Sequence, residues 1–207
     1  MEHKTSYLGK AVYFGLFLMF GCSSSGAMGC GSSGGGPTVD SELLGVYQID
    51  SYRGSQDGCD QPTDIEPTPS HLVLYSYLPN NDPDDPVMGG VFCSDVDNCR
   101  EAGREAPEPA IGYTFSAGND QNGWLGWAIQ SGGAANDQCR ADVQVHTLTT
   151  PSGETINIDT QTFVTVFDPT LDGNTATCSN REAIRALDDS LPCTEIIILD
   201  ATFVAGL

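Results

Sequence analysis

Side chains able to do chemistry are unevenly placed in this chain. The one Gly-x-Ser-x-Gly match is Gly31-Ser32-Ser33-Gly34-Gly35. A nucleophile elbow needs a strand before the serine and a helix after it, and this match sits in a Gly/Ser tract with neither. His71 and His146 stand apart from any serine or cysteine pattern, so each is expected at a surface or rim rather than in a triad. Acidic residues are so frequent that no pair of them marks a paired-carboxylate hydrolase, and that reading ranks last. No catalytic residue is assigned. Zinc is disfavoured, because there is no Cys-x-x-Cys and a structural zinc site draws on such spacings. Calcium is the sharper inorganic reading. Asp82, Asp84 and Asp85 crowd one segment, Asp95 and Asp97 a second, Asp168 and Asp172 a third. Asp168-Pro-Thr-Leu-Asp172-Gly173 has the first and third acidic ligands and the glycine of an EF-hand loop, but Ser179 stands where the bidentate Glu belongs. Asp168 and Asp172 are the metal candidates, and turn chemistry is the competing use of such loops. No other cofactor is indicated.

The cysteines carry a different chemistry. Of eight, Cys22 and Cys30 fall in the N-terminal region and six remain. An even set in an exported chain reads as disulfides. Cys93 and Cys99 are near enough in sequence to close a small loop. Cys178 and Cys193 flank an expected helix, and they meet if the helix stops near Leu187 and the chain doubles back. Cys59 and Cys139 are then left to each other.

Export is read from residues 10 to 22, Lys-Ala-Val-Tyr-Phe-Gly-Leu-Phe-Leu-Met-Phe-Gly-Cys. Lys4 and Lys10 precede the uncharged apolar run Ala11 to Phe20. Spanning a bilayer takes roughly 20 apolar residues, so this run has the length and flanks of a signal peptide. Met19-Phe20-Gly21-Cys22 resembles the lipobox of bacterial lipoproteins, with Met19 where Leu is usual and Phe20 where a small residue is usual. The resemblance covers residues 1–22. It implies removal of residues 1–21, acylation of Cys22 and a covalent lipid hold on the cell envelope. Ser23 and Ser24, with no Asp at the second mature position, imply sorting to the outer membrane. Ala27-Met28-Gly29-Cys30 is a second candidate, farther from the apolar run. Residues 22–39 read as a flexible Gly/Ser tether, and residues 40–207 as one β domain large enough for a substantial core.

The processed chain holds no Lys, and its six Arg face 27 acidic residues, a formal charge of about −21. Such a charge excludes a nucleic-acid footprint and adsorption to anionic lipid. It suits cationic partners or divalent cations.

The scaffold for these groups reads mostly as strands. Ile111, Tyr113 and Phe115 alternate toward one face. Gly118 to Gly123 is a turn cluster, and Trp124 to Gln130 returns with Leu125, Trp127 and Ile129 on one face, completing a hairpin. Val143 and Val145 share a face of the next strand. After the turn Thr150-Pro151-Ser152-Gly153, Ile156 and Ile158 share a face while Phe163 and Phe167 take the other. A bulge near Gln161 or burial of both faces accounts for that. Ser179-Asn180-Arg181-Glu182 fits a capping box that opens one short helix, and Glu195 to Ala205 is a β-prone last strand. The expectation is a mainly β, single antiparallel meander of about eight strands, closed or partly closed into a barrel, with one short helix before the last strand. A β-sandwich is the alternative. Gly45-Val46-Tyr47 loosely resembles the Gly-x-Trp opening of lipocalins, which implies a barrel around a small apolar ligand. Tyr113, Phe115 and Trp127 would line it. Trp124, expected to point outward or to the rim beside the turn cluster, is the remaining contact candidate. The leading functional expectation is a non-enzymatic, lipid-anchored binding module for a small apolar ligand, with a solid-cored protein-interaction or matrix module second. Oligomeric state is left open.

Overall fold

The computed structural model describes residues 39–79, 85–106, 112–135, 138–172, 175–188 and 190–207. The expected leader, Cys22, Cys30 and all of the expected tether but Val39 lie outside these residues, as do Asp82, Asp84 and Ile111. Among the described residues, twelve strands and two helices follow in order: β1 (Gly45–Ser55), β2 (Thr63–Asp64), β3 (His71–Tyr77), β4 (Val87–Cys93), α1 (Val96–Glu105), β5 (Tyr113–Phe115), β6 (Ala117–Asn119), β7 (Gly123–Ala135), β8 (Gln138–Ser152), β9 (Thr155–Phe167), β10 (Thr170–Asp172), β11 (Thr175–Thr177), α2 (Asn180–Arg185) and β12 (Cys193–Ala205).

The main sheet runs β5-β4-β3-β1-β12-β9-β8-β7-β6, with β2 beside β1. All its ladders are antiparallel, and the first long strand pairs with the last. The two ends of this order, β5 and β6, follow each other in the chain and flank Ser116. Tyr113 to Phe115 pairs with β4, Ala117 to Asn119 pairs with β7, and the Ser116 N–H donates to the Leu125 carbonyl at 3.0 Å. Counting β5 and β6 as one interrupted strand gives the expected meander, nearly closed into a barrel. Glycine makes the closure possible. A Cβ on Gly126 would fall on the carbonyl of Thr114, where β5 crosses the inner side of β7, so only a residue without a side chain lets the two backbones approach.

The short helix before the last strand is α2. Backbone N–H groups of Glu182 and Ala183 bond to the Ser179 carbonyl, and the Ser179 side chain makes no capping bond. The expected capping box therefore stays unformed. Helix α1, ten residues long, is a second helix beyond the one expected. Asp95 caps it, its carboxylate accepting from the Asn98 N–H at 2.9 Å.

Three apolar clusters result. Inside the barrel lie Tyr47, Ile49, Leu72, Leu74, Met88, Tyr113, Phe115, Trp124, Leu148, Ile156, Ile158, Leu199 and Ala201, with Val39 and Leu43 closing one end. Outside, α1 covers Val46, Val73, Tyr75, Tyr77 and Val87. On another outer wall Ala183 of α2 packs with Cys139, Ala141, Val143 and Phe167, flanked by Trp127 and Ile129. The chain enters at one end of the barrel, here the base, where the Val39 N–H donates to Ser76 Oγ at 2.9 Å. The opposite end, the mouth, carries all three disulfides: Cys59–Cys193, Cys93–Cys99 and Cys139–Cys178.

Candidate functional site

The four aromatic candidates do not share a pocket. Tyr113 and Phe115 point inward from β5 and stack at 6.0 Å between ring centroids. Phe92 and Tyr52 extend this array ring edge to ring face. Phe115 is 0 % exposed, so the array is packed core. The two tryptophans sit the other way round from expectation. Trp124 is 8 % exposed and belongs to the interior cluster, while Trp127 lies outside the barrel against the cluster under α2. The reason is Gly126. The inward positions of β7 are Trp124, Gly126 and Ala128, and β5 occupies the space that a side chain at 126 would fill. The apolar alternation of Leu125, Trp127 and Ile129 marks the wall that α2 covers.

His146 is likewise interior and not at a rim. It is 2 % exposed. Its Nδ1 lies 3.0 Å from Thr160 Oγ1, and its ring meets Tyr113 edge to face at 5.2 Å. Nε2 is buried with no hydrogen-bond partner among the described residues. Desolvation holds its pKa down to about 4, so the ring is neutral at pH 7. Burial also pushes the Tyr113 phenol up. A threonine–histidine pair sealed in this way meets no substrate.

At the base, Asp120 of the β6–β7 turn binds three donors. Its Oδ1 accepts from Ser41 Oγ at 2.7 Å and Trp124 Nε1 at 2.8 Å, and its Oδ2 from the Glu42 N–H at 2.7 Å. A surface hollow of about 350 Å³ beside it is lined by Asp40, Ser41, Glu42, Asn119, Asp120 and Gln121. The residues around it are all polar by type, and the carboxylate of Asp120 is already engaged. On the outer wall, Asp200 accepts from Ser51 Oγ at 2.6 Å, Asn157 Nδ2 at 2.8 Å and Arg53 Nη2 at 3.1 Å. Burial opposes its ionisation, but these bonds outweigh burial and hold the carboxyl below the usual range. Both arrangements are satisfied networks that fix the fold.

A second hollow, about 210 Å³, lies near the mouth and is lined by Ala128, Ile129, Gln130, Asp142 and Gln144. It spans the cross-strand pairs Ala128–Gln144 and Gln130–Asp142 of β7 and β8, on the side of the hairpin that faces the barrel axis farther down. Apart from Ile129, read as part of an apolar face, the sequence pattern singled out none of these residues, and Asp142 stands outside the acidic clusters.

Asp168 is exposed, the side chain of Asp172 lies outside the described residues, and among the described residues no cluster of three acidic, histidine or cysteine side chains could hold a metal. Of the disulfides, Cys93–Cys99 forms as expected. The other two are repartnered: Cys59 joins Cys193 and Cys139 joins Cys178, in place of Cys178–Cys193 and Cys59–Cys139. Cys193 starts β12 opposite Phe163 of β9, whereas Cys139 is opposite Phe167. Those two points on β9 are about 13 Å apart at 3.3 Å per residue, too far for the bridge across α2. No family model, curated protein or solved structure matches the chain.

Proposed function

We propose that the chain is a non-enzymatic envelope protein, held to a membrane by a lipid on Cys22, whose β domain works as a surface interaction module. The observation that carries the interaction reading is the filled barrel. Phe115, Leu72, Leu74, Met88, Leu148, Ile158 and Leu199 are fully buried against one another, and the rings of Tyr52, Phe92, Tyr113 and His146 occupy the space where a barrel-bound ligand would sit. A lumen of the kind that takes a drug-sized molecule runs to about 300–1,000 Å³. The hollows described above lie at the mouth and base instead. Surface-borne acidity favours cationic partners.

Two measurements test this. Replacing Cys22 by Ser is expected to move the protein from the membrane fraction to the soluble fraction; unchanged fractionation sinks the anchor. Titration with palmitate and with 1-anilinonaphthalene-8-sulfonate is expected to leave the melting temperature unchanged. Saturable one-to-one binding with a raised Tm would return the barrel to the ligand-carrier class.

A further inference from the structure

Among the described residues, this barrel stays open along strand β7. Its ladder with β6 covers only Gly123 to Leu125, β5 crosses its inner side at Gly126 without a ladder, and among the described residues the edge from Trp127 to Ala135 has no strand beside it. An edge of this kind offers unpaired N–H and C=O groups to any extended chain, and proteins ordinarily guard it with charges, proline or a covering element. From Gly123 to Ala135 the strand contains no charged residue and no proline. The other uncharged long strands, β3 and β4, are paired on both sides.

The hollow near the mouth adjoins this edge. Asp142 is its one charged residue, is exposed, and its carboxylate has neither ion pair nor hydrogen bond among the described residues. Arg140, the next residue toward the mouth on the same side of β8, makes no ion pair with it. Ala128 leaves room in front of Asp142 where a larger side chain would fill it. A strand added beside β7 would lie about 10 Å from β8, two interstrand spacings. A lysine or arginine stem together with an aspartate covers that span, with the stem lying along apolar wall and the cation in the open.

We propose that the β7 edge beyond Leu125 receives an extended peptide segment of a partner, which pairs as an added strand and sets a Lys or Arg side chain against Asp142 in the adjoining hollow. Backbone pairing supplies the affinity and the alternate side chain supplies selectivity, as in other strand additions. Charge decides the occupant. The chain carries a net charge of −20, so a cationic segment is drawn in and a second copy of the chain is repelled. A second copy would also present an uncharged β7 and bring no cation to Asp142. This proposal rests on the surface-interaction reading, and palmitate loading of the barrel would sink that reading without touching the assay below.

The test is fluorescence polarisation of the purified full-length chain with a labelled decapeptide of alternating Lys and Thr. Controls are the Glu–Thr counterpart and a Lys–Thr version with its two central threonines replaced by proline. Saturable one-to-one binding of the Lys–Thr peptide is expected. Binding falls roughly tenfold with Asp142→Asn, as for loss of one partner of a close charge pair, falls at least as far with the proline peptide, and is unchanged by Glu154→Gln at the base. Equal binding of the proline peptide, or equal weakening by Glu154→Gln, means adsorption by overall charge and overturns the proposal. So does a chain that sediments as a dimer and must dissociate to bind, which makes a second copy the occupant. Slow amide exchange at Trp127 and Ile129 in the free chain, whose N–H groups leave β7 on the side where the Leu125 carbonyl accepts from Ser116, also overturns it, because the edge is then covered by the chain itself.

Discussion

Truncating Phe115 to Ala measures whether the barrel is packed or hollow. Phe115 is 0 % exposed, lies opposite Met88 on β4, stacks on Tyr113 and comes within 6.5 Å of His146. Its burial is worth about 2 kcal/mol in transfer free energy. A cavity adds to that unless the walls close in. They are held: β5 is fixed by the ladder to β4 on one side and by the backbone crossing at Gly126 on the other. The expected loss is therefore about 4 kcal/mol, within the range of about 3–5 for Phe→Ala in a rigid core. Urea unfolding followed by far-UV circular dichroism reads it as a shift of the midpoint at constant slope. A ring that merely lined an open lumen would lose less than the transfer value, because no new void is made. A loss below about 1.5 kcal/mol with an unchanged slope refutes the packed barrel.

Three further outcomes are expected. His146 has a folded pKa of about 4 against an ordinary 6.5, so between these values the unfolded chain binds the extra proton and stability falls as pH drops from 6.5 toward 4, by on the order of 3 kcal/mol; His146→Gln should flatten that slope in urea titrations. Non-reducing peptide mapping should recover Cys59–Cys193 and Cys139–Cys178, and loss of the former by a paired Cys→Ser change should cost about 4–5 kcal/mol, since it spans 134 residues and long loops lose the most entropy on cross-linking. Asp120→Ala orphans donors from Ser41, Glu42 and Trp124, and a cost of about 1–3 kcal/mol should appear together with faster proteolysis near Ser41.

The meander, the near-closure and the helix before the last strand were legible because period-two alternation and turn residues are local signals. The turn cluster Gly118 to Gly123 and the strands carrying Ile156 and Ile158 needed nothing more, but the expected hairpin is confined to Ala117–Asn119 against Gly123–Leu125, because Tyr113 to Phe115 pairs with β4 instead. The face of each strand was less legible. On β7 and on the second half of β9 the more apolar side is the outer one, because α2 covers it. Phe163 and Phe167 are buried there, and Val166 on the other side is 54 % exposed. The β8–β9 register runs through Gln161 without a shift, so burial on both sides, not a bulge, explains the change of face. No periodicity reports which side a distant helix will cover. The disulfides failed for a related reason. Pairing by nearness in sequence works when a single loop separates two cysteines, as for Cys93 and Cys99. It fails when each cysteine is placed by a different strand. The mouth hollow left no local mark at all, since Ala128, Gln130, Asp142 and Gln144 meet only through the β7–β8 register.

The disulfide at Cys59 also sets a mechanical limit. A pull through the N-terminal segment enters at the base, first loading the Val39–Ser76 and Asp120 contacts and then β1. Beyond β1 the chain reaches Cys59, which is bonded to the start of β12, while the Gly58 N–H is bound to the Thr194 carbonyl at 2.9 Å. Tension that strips β1 therefore arrives at a covalent stop before it reaches β3, and passes from there into β12, the strand at the centre of the sheet. The domain can lengthen by the residues from Val39 to Cys59 and no further without breaking a covalent bond or unfolding from β12. A partner held at the mouth would stay seated on β7 and β8 while the base gives way.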